Sequence, residues 1–173
     1  MRMPFLSVAF AVALAAGASA AEDQKINDAQ IAHIAYTAGQ IDIAAGKQAL
    51  AKSQDPMIRM FAEEMVRDHT AVNDQALALV KKLGVTPQDN PTSKSLSDSA
   101  AQKLKTYEKL SGHAFDVAYI QNEVAYHKAV NGAVADTLIP NARNAELKEL
   151  LQTGLKLFQE HQAHAEHMAA AVH

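Results

Sequence analysis

The sequence predicts an all-α fold: a four-helix bundle with a long crossover between the second and third main helices and one extra short helix. Three observations predict it. Apolar residues recur at three- and four-residue steps along four long stretches, the spacing of helices with one buried face. Capping residues, prolines and a glycine bracket those stretches. No segment alternates with the period of two that a half-buried strand needs.

The chain opens MRMPFLSVAFAVALAAGASA, with Arg2 as a short positive start, an apolar run over Phe5–Ala16 and small residues at Ala18, Ser19 and Ala20. That pattern predicts a signal peptide over residues 1–20, cut before Ala21, and one domain over residues 21–173 in the periplasm or secreted. The apolar run is too short to span a membrane, and no later stretch is long and apolar enough. The chain holds no cysteine, which excludes disulfides, thiolate metal sites and a lipid-modified amino terminus. Loss of Arg2 takes the net charge from −3 to −4. Such a balance, without a basic block, argues against nucleic acid as a partner. Partners are otherwise unspecified, and a homo-oligomer stays open.

The first main helix is expected from about Asn27 to Lys52. Asn27 or Asp28 can cap it, with Gln30 placed for a capping box. Ile31, Ala35, Ala38, Ala45 and Ala49 form its stripe, flanked by Ile34 and Ile41. So many small residues, with Gly39 and Gly46 beside them, let a neighbouring helix come close. The tight link Ser53–Pro56 folds the second helix back antiparallel. That helix, Pro56–Leu83, has Asp55 as cap, Pro56 in its first turn and Gly84 to close it. Its stripe is Ile58, Phe61, Ala62, Met65, His69, Val72, Ala76, Leu79 and Leu83. Residues 85–97 are polar and carry Pro87 and Pro91, so they are read as irregular. A short helix at about Asp98–Leu110, capped by Ser97, follows. The connection is long enough to return along the whole second helix, which makes the second and third main helices parallel. The third runs from about Gly112 to Leu138, capped by Ser111 and stopped by Pro140. Its stripe is Phe115, Asp116, Tyr119, Ile120, Glu123, His127, Val130 and Val134. The fourth, about Ala145–Ala170, buries Leu147, Leu151, Gly154, Phe158, His161, Ala165 and Met168.

Each apolar stripe carries a polar interruption: Asp42 on the first helix, His69 on the second, Glu123 with His127 on the third, His161 on the fourth. At about 100° per residue, Glu123 and His127 share a face, and each of the others falls about 20° from apolar neighbours one heptad away. Height agrees if the crossover returns to the level of the Ser53–Asp55 link. Asp42 and His69 then lie roughly 15–21 Å below that link, Glu123 and His127 roughly 17–23 Å, and His161 roughly 14 Å. Imidazole and carboxylate together suit one transition-metal ion, Zn²⁺, Fe²⁺, Cu²⁺, Mn²⁺ or Ni²⁺. The same residues can instead form a buried hydrogen-bond network with Asp116 or Tyr119 that fixes helix register.

Other polar residues have plainer readings. His164 and His167, three apart, can chelate an ion at the surface but also suit a solvated helix end. Met57, Met60 and Met65 read as core filler, Glu63 and Glu64 as solvated surface, and His33 as exposed. His113 suits the mouth of the bundle. Asp68, one residue off the seam, can orient a histidine. No nucleophile and no phosphate loop stands out, so the reading leans away from an enzyme.

Phe61-Ala62-x-x-Met65-x-x-Asp68-His69, then Phe115-Asp116-x-x-Tyr119 with His127, then His161, resemble an exported domain-of-unknown-function family often labelled as outer-membrane proteins and considered ferritin-like. The resemblance spans about Asn27–Ala170 and implies a ferritin-like four-helix bundle with no established activity. In the ferritin-like di-iron pattern, two helices give a Glu each and two give Glu-x-x-His. Asp42 and Glu123 resemble the lone carboxylates, and His69 and His161 the histidines. Val66 and Phe158 stand where the motif needs Glu, so a mononuclear site, or one lost in evolution, is expected rather than a dinuclear one. The functional expectation is a metal-binding bundle for storage, sensing or stress protection; the alternative is a non-enzymatic structural or interaction module.

Overall fold

The computed structural model describes residues 26–172. The leader expected over residues 1–20 lies outside them. The described residues are helical, with no strand among them: α1 Asp28–Lys52, α2 Pro56–Lys82, α3 Pro91–Glu108, α4 Gly112–Ala133, a π-helical turn Val134–Leu138, α5 Ile139–Asn141 and α6 Ala145–Ala171. No helix among them is long and apolar enough to cross a membrane.

Local chemistry sets most of the ends. The Asn27 side chain accepts from Gln30 N–H while the Gln30 side chain accepts from Asn27 N–H, the reciprocal box that starts α1. Asp55 accepts from Met57 and Ile58, with Pro56 in the first turn. Gly84 takes φ +64°, which lets the chain leave α2 without a Cβ clash. Asn144 caps α6 through Leu147 N–H.

Two ends differ from the sequence reading. The short helix starts at Pro91, not Asp98. Asn90 caps it in a second capping box with Ser93, and Pro91 sits in the first turn, where its missing N–H would have had no intrahelical partner, so the proline that reads as a breaker is a starter. Pro140 does not end the third helix. The wider π turn at Val134–Leu138, closed by Ile139 N–H on the Val134 carbonyl, changes the register ahead of Pro140 and lets helix continue to Asn141.

α1 packs chiefly on α2, α4 on α6, and α3 lies along α1. Lys52 lies over the Phe115 ring and the Tyr126 hydroxyl donates to the Ala38 carbonyl, so α1 and α4 run in opposite directions. Because α1 and α2 form a tight hairpin, α2 and α4 point the same way, as the long crossover requires. α3 is tied to α1 by Gln48 on the Leu104 carbonyl, Lys52 on the Glu108 carbonyl and His33 on Ser93. His33 is therefore not a free surface residue; its other nitrogen meets Asp89. At the far end Asp28 accepts the backbone N–H groups of Arg143 and Asn144, joining the start of α1 to the start of α6.

The buried apolar side chains fall into two groups. One, around Ile58, Phe61, Met65, Phe115, Tyr119 and Met168, fills the end near the α1–α2 link. The other, around Ile31, Ile34, Val134, Leu138, Leu147 and Leu151, fills the opposite end. Met65 belongs to the first, whereas Met57 and Met60 are about half exposed and fill no core. Between the two groups lies a polar layer.

Candidate metal centre

The layer is made of the five side chains the sequence places inside the seam. Asp42 and Glu123 have no exposed surface; His69, His127 and His161 are nearly as buried. Each comes from a different long helix except Glu123 and His127, which stand one turn apart on α4. The three imidazoles form a triangle with ring centres 5.3, 5.5 and 5.6 Å apart, and one nitrogen from each lies within 4.8 Å of the others. Imidazoles bound tetrahedrally to one ion at about 2.0–2.1 Å hold their ring centres roughly 5 Å apart, close to what is seen. Asp42, Glu123 and His127 make a second set within the same 4.8 Å limit, so His127 joins the imidazoles to the carboxylates.

Each ring is oriented by a group outside the cluster. The Nδ1–H of His127 donates to the Glu123 carbonyl at 3.0 Å, one turn back along α4, which leaves Nε2 with a lone pair. The Nε2–H of His161 donates to Asp68 at 3.1 Å, which leaves the buried Nδ1 with one. Asp68 is itself gripped by the Arg67 guanidinium at 2.7 and 3.0 Å, and takes the orienting place the sequence suggests. His69 is held by stacking on Phe158, 4.6 Å away and 11° from parallel. Its Nε2 lies 2.5 Å from Asp42 Oδ2, yet neither atom meets the direction a hydrogen bond requires.

Burial governs the charges. It drives His127 down to about 4 and lowers His161, so both rings are neutral and able to coordinate near pH 7. Glu123 is pushed well above the usual carboxylate range, first by burial and then by the charge of Asp42. Burial opposes ionisation of Asp42 too, but His69 and His127 beside it outweigh that effect and keep its carboxyl below its ordinary value. Without a cation the layer thus carries one ionised and one protonated carboxyl. Tyr119, with a buried hydroxyl, stands near both and is pushed well above 10 by burial and their charges.

Eight nitrogen and oxygen atoms of these five side chains have no hydrogen-bond partner among the described residues: both oxygens of Asp42 and of Glu123, both nitrogens of His69, Nε2 of His127 and Nδ1 of His161. An unmet buried polar group costs about 1–3 kcal/mol, so a layer holding several of them calls for a partner that can meet them.

A scan against family models matches residues 13–168 to the family described as Domain of unknown function (DUF4142). The chain belongs to that family. No curated protein and no solved structure matches it. Membership in DUF4142 assigns no activity, so the chemistry rests on the residues themselves.

Beyond the layer, Glu64, Asp68 and His161 form a third set within 4.8 Å, half-buried on the outer side of His161. Glu64 accepts from His164 Nδ1 at 2.9 Å. The sequence reading leaves Glu64 on a solvated face; the signal it passes over is the four-residue step from Glu64 to Asp68, which puts both on the side of α2 that meets α6. His113 is exposed, apart from the layer.

Proposed function

We propose that this DUF4142 chain is an exported, ferritin-like bundle that binds one transition-metal ion in its polar layer, with His69, His127 and His161 as nitrogen ligands and Asp42 and Glu123 as oxygen ligands. The observation that carries the reading is the set of eight buried polar atoms lacking protein partners, on five side chains that form two ligand sets sharing His127. A divalent cation would take one lone pair from each ligand it binds and remove the conflict between two buried carboxyls. Three imidazoles with one or two carboxylates suit Zn²⁺, Fe²⁺ or Mn²⁺, and the dry surroundings suit retention of the ion. Export rests on the leader pattern at residues 1–20. The ferritin-like arrangement is supported by the α1–α2 and α4–α6 pairing and by the shared direction of α2 and α4.

Calorimetric titration of chelator-treated protein with Zn²⁺, Fe²⁺ and Cu²⁺, with elemental analysis after dialysis, tests it. One tightly held ion per chain is expected, with affinity reduced at least roughly tenfold in His69→Ala, His127→Ala and His161→Ala. Retention well below one ion per chain with all three metals would overturn the reading. A hydrogen-bond network without an ion is the second reading, favoured by the 2.5 Å approach of Asp42 to His69. It requires that chelator leave the melting temperature unchanged.

A further inference from the structure

The polar layer has an apolar neighbour. On the side away from the α1–α2 link, α1, α2, α4, α6 and the edge of α3 surround a partly open cavity of about 190 Å³. Its walls are almost wholly apolar, and small residues make the space: Ala35, Ala38, Ala76 and Gly154 occupy positions where larger side chains would close the bundle. His69, His127 and Phe158 line it as well, so one wall of the cavity is the edge of the polar layer. Ala35, Ala38 and Ala76 lie on inward stripes yet are only half-buried, as residues beside an unfilled space are.

We propose that this cavity is a binding site for one compact, uncharged, hydrocarbon-like molecule, of the size of a single aromatic ring, held against the His69 and His127 edge of the centre. Volume sets the size: an apolar cavity of roughly 150 Å³ stays dry and takes up benzene. Lining sets the class, because a charged or strongly polar guest would lose its hydration and find few groups to replace it. The space is also not a requirement of the helix pairing, since α1 and α2 approach closely elsewhere. A Cβ on Gly46 would stand 2.9 Å from Val66 and 3.1 Å from the Ala62 carbonyl. The cavity is independent of whether an ion binds; the contact between guest and ion rests on the metal reading.

Benzene is the probe, with benzoate as the size-matched anion. Metal-free protein at tenfold excess of benzene over its Kd is expected to melt about 3–6 °C higher, and benzoate to leave it unchanged. Ala35→Leu and Ala76→Leu fill the cavity from different helices, and whichever folds is expected to lose the benzene shift. In Co²⁺-loaded protein, benzene is expected to move the visible ligand-field bands. No benzene shift in the unsubstituted protein, an equal shift in the filled variants, or an equal response to benzoate would overturn the cavity as the binding place. A benzene shift with unmoved Co²⁺ bands would overturn its position against the centre. Benzene binding in a chain that takes up no metal would leave the cavity site standing and the metal reading refuted.

Discussion

Glu123 separates the two readings of the polar layer, because its effect changes sign with the ion. In the metal-free fold its carboxyl is held protonated by burial and by Asp42, whereas in the unfolded chain it ionises above its ordinary value of 4.5. A raised carboxyl of this kind supports folding only at low pH. Its contribution is lost as pH rises past the unfolded value, because the unfolded chain alone releases the proton. Glu123→Gln keeps the shape and removes that loss. The metal-free variant is therefore expected to be more stable than the parent at pH 8 and equal to it near pH 3, as read by urea titration at both pH values. With metal present the direction reverses: the amide is a poorer ligand and affinity falls. A variant that is destabilised at pH 8 without metal would show that Glu123 is ionised and paired in the fold, against the arrangement described.

At the scale of elements, caps decide where helices start, and Asn90 shows how much one of them holds. Its side-chain oxygen accepts from Ser93 N–H at 2.9 Å, while its amide donates to the Gln88 carbonyl at 3.1 Å and to the Gln30 carbonyl at 3.4 Å. One residue thus begins α3 and ties that beginning to α1. Asn90→Ala is expected to lower stability by about 1–2 kcal/mol in urea titration, and Asn90→Asp, which keeps the cap, by less. The caps of α1 and α2 were legible in the sequence because Asn27 and Asp55 stand directly before apolar periodicity. Asn90 was not, because Leu96 is the one apolar residue between Pro91 and Ala100, and the proline reads as a stop. The π turn was hidden for a related reason: Val130 and Val134, the last stripe positions on the third main helix, come no later than the turn's first residue and carry no trace of it. In the layer, helical phase put each polar side chain on an inner face, and the long crossover brought the five to a common height. Phase could not show that Phe158 stacks on His69 or that small residues leave a cavity. On α1 the same alanine and glycine stripe brings α2 close at Gly46 and leaves open space at Ala35 and Ala38. On α2 the buried positions below His69 are Asn73 and Val80, which line the cavity together with the half-buried Val72 and Ala76.

The whole molecule is a polar layer between two apolar ends, and that arrangement fixes what removal of an ion should do. The groups around Phe61 and Phe115 at one end and around Ile31 and Leu138 at the other are buried without help from the layer. All four long helices pass through both ends, and capping side chains hold α1, α2, α3 and α6 at their starts. The chain therefore differs from small domains whose only core is their metal site, which unfold when the metal is removed. Chelation is expected to leave the far-ultraviolet dichroism at 222 nm nearly unchanged and to lower the melting temperature. An ion held at a thousandfold excess over its Kd stabilises by about 4 kcal/mol. For a domain of this length that corresponds to a fall of roughly 8–16 °C. Loss of helical dichroism at room temperature would mean that the apolar ends cannot hold the fold around an unsatisfied layer. An unchanged melting temperature would mean that the layer meets its own polar atoms by rearranging. The size of the fall measures how much of the conflict between Asp42, Glu123 and the three imidazoles the cation resolves.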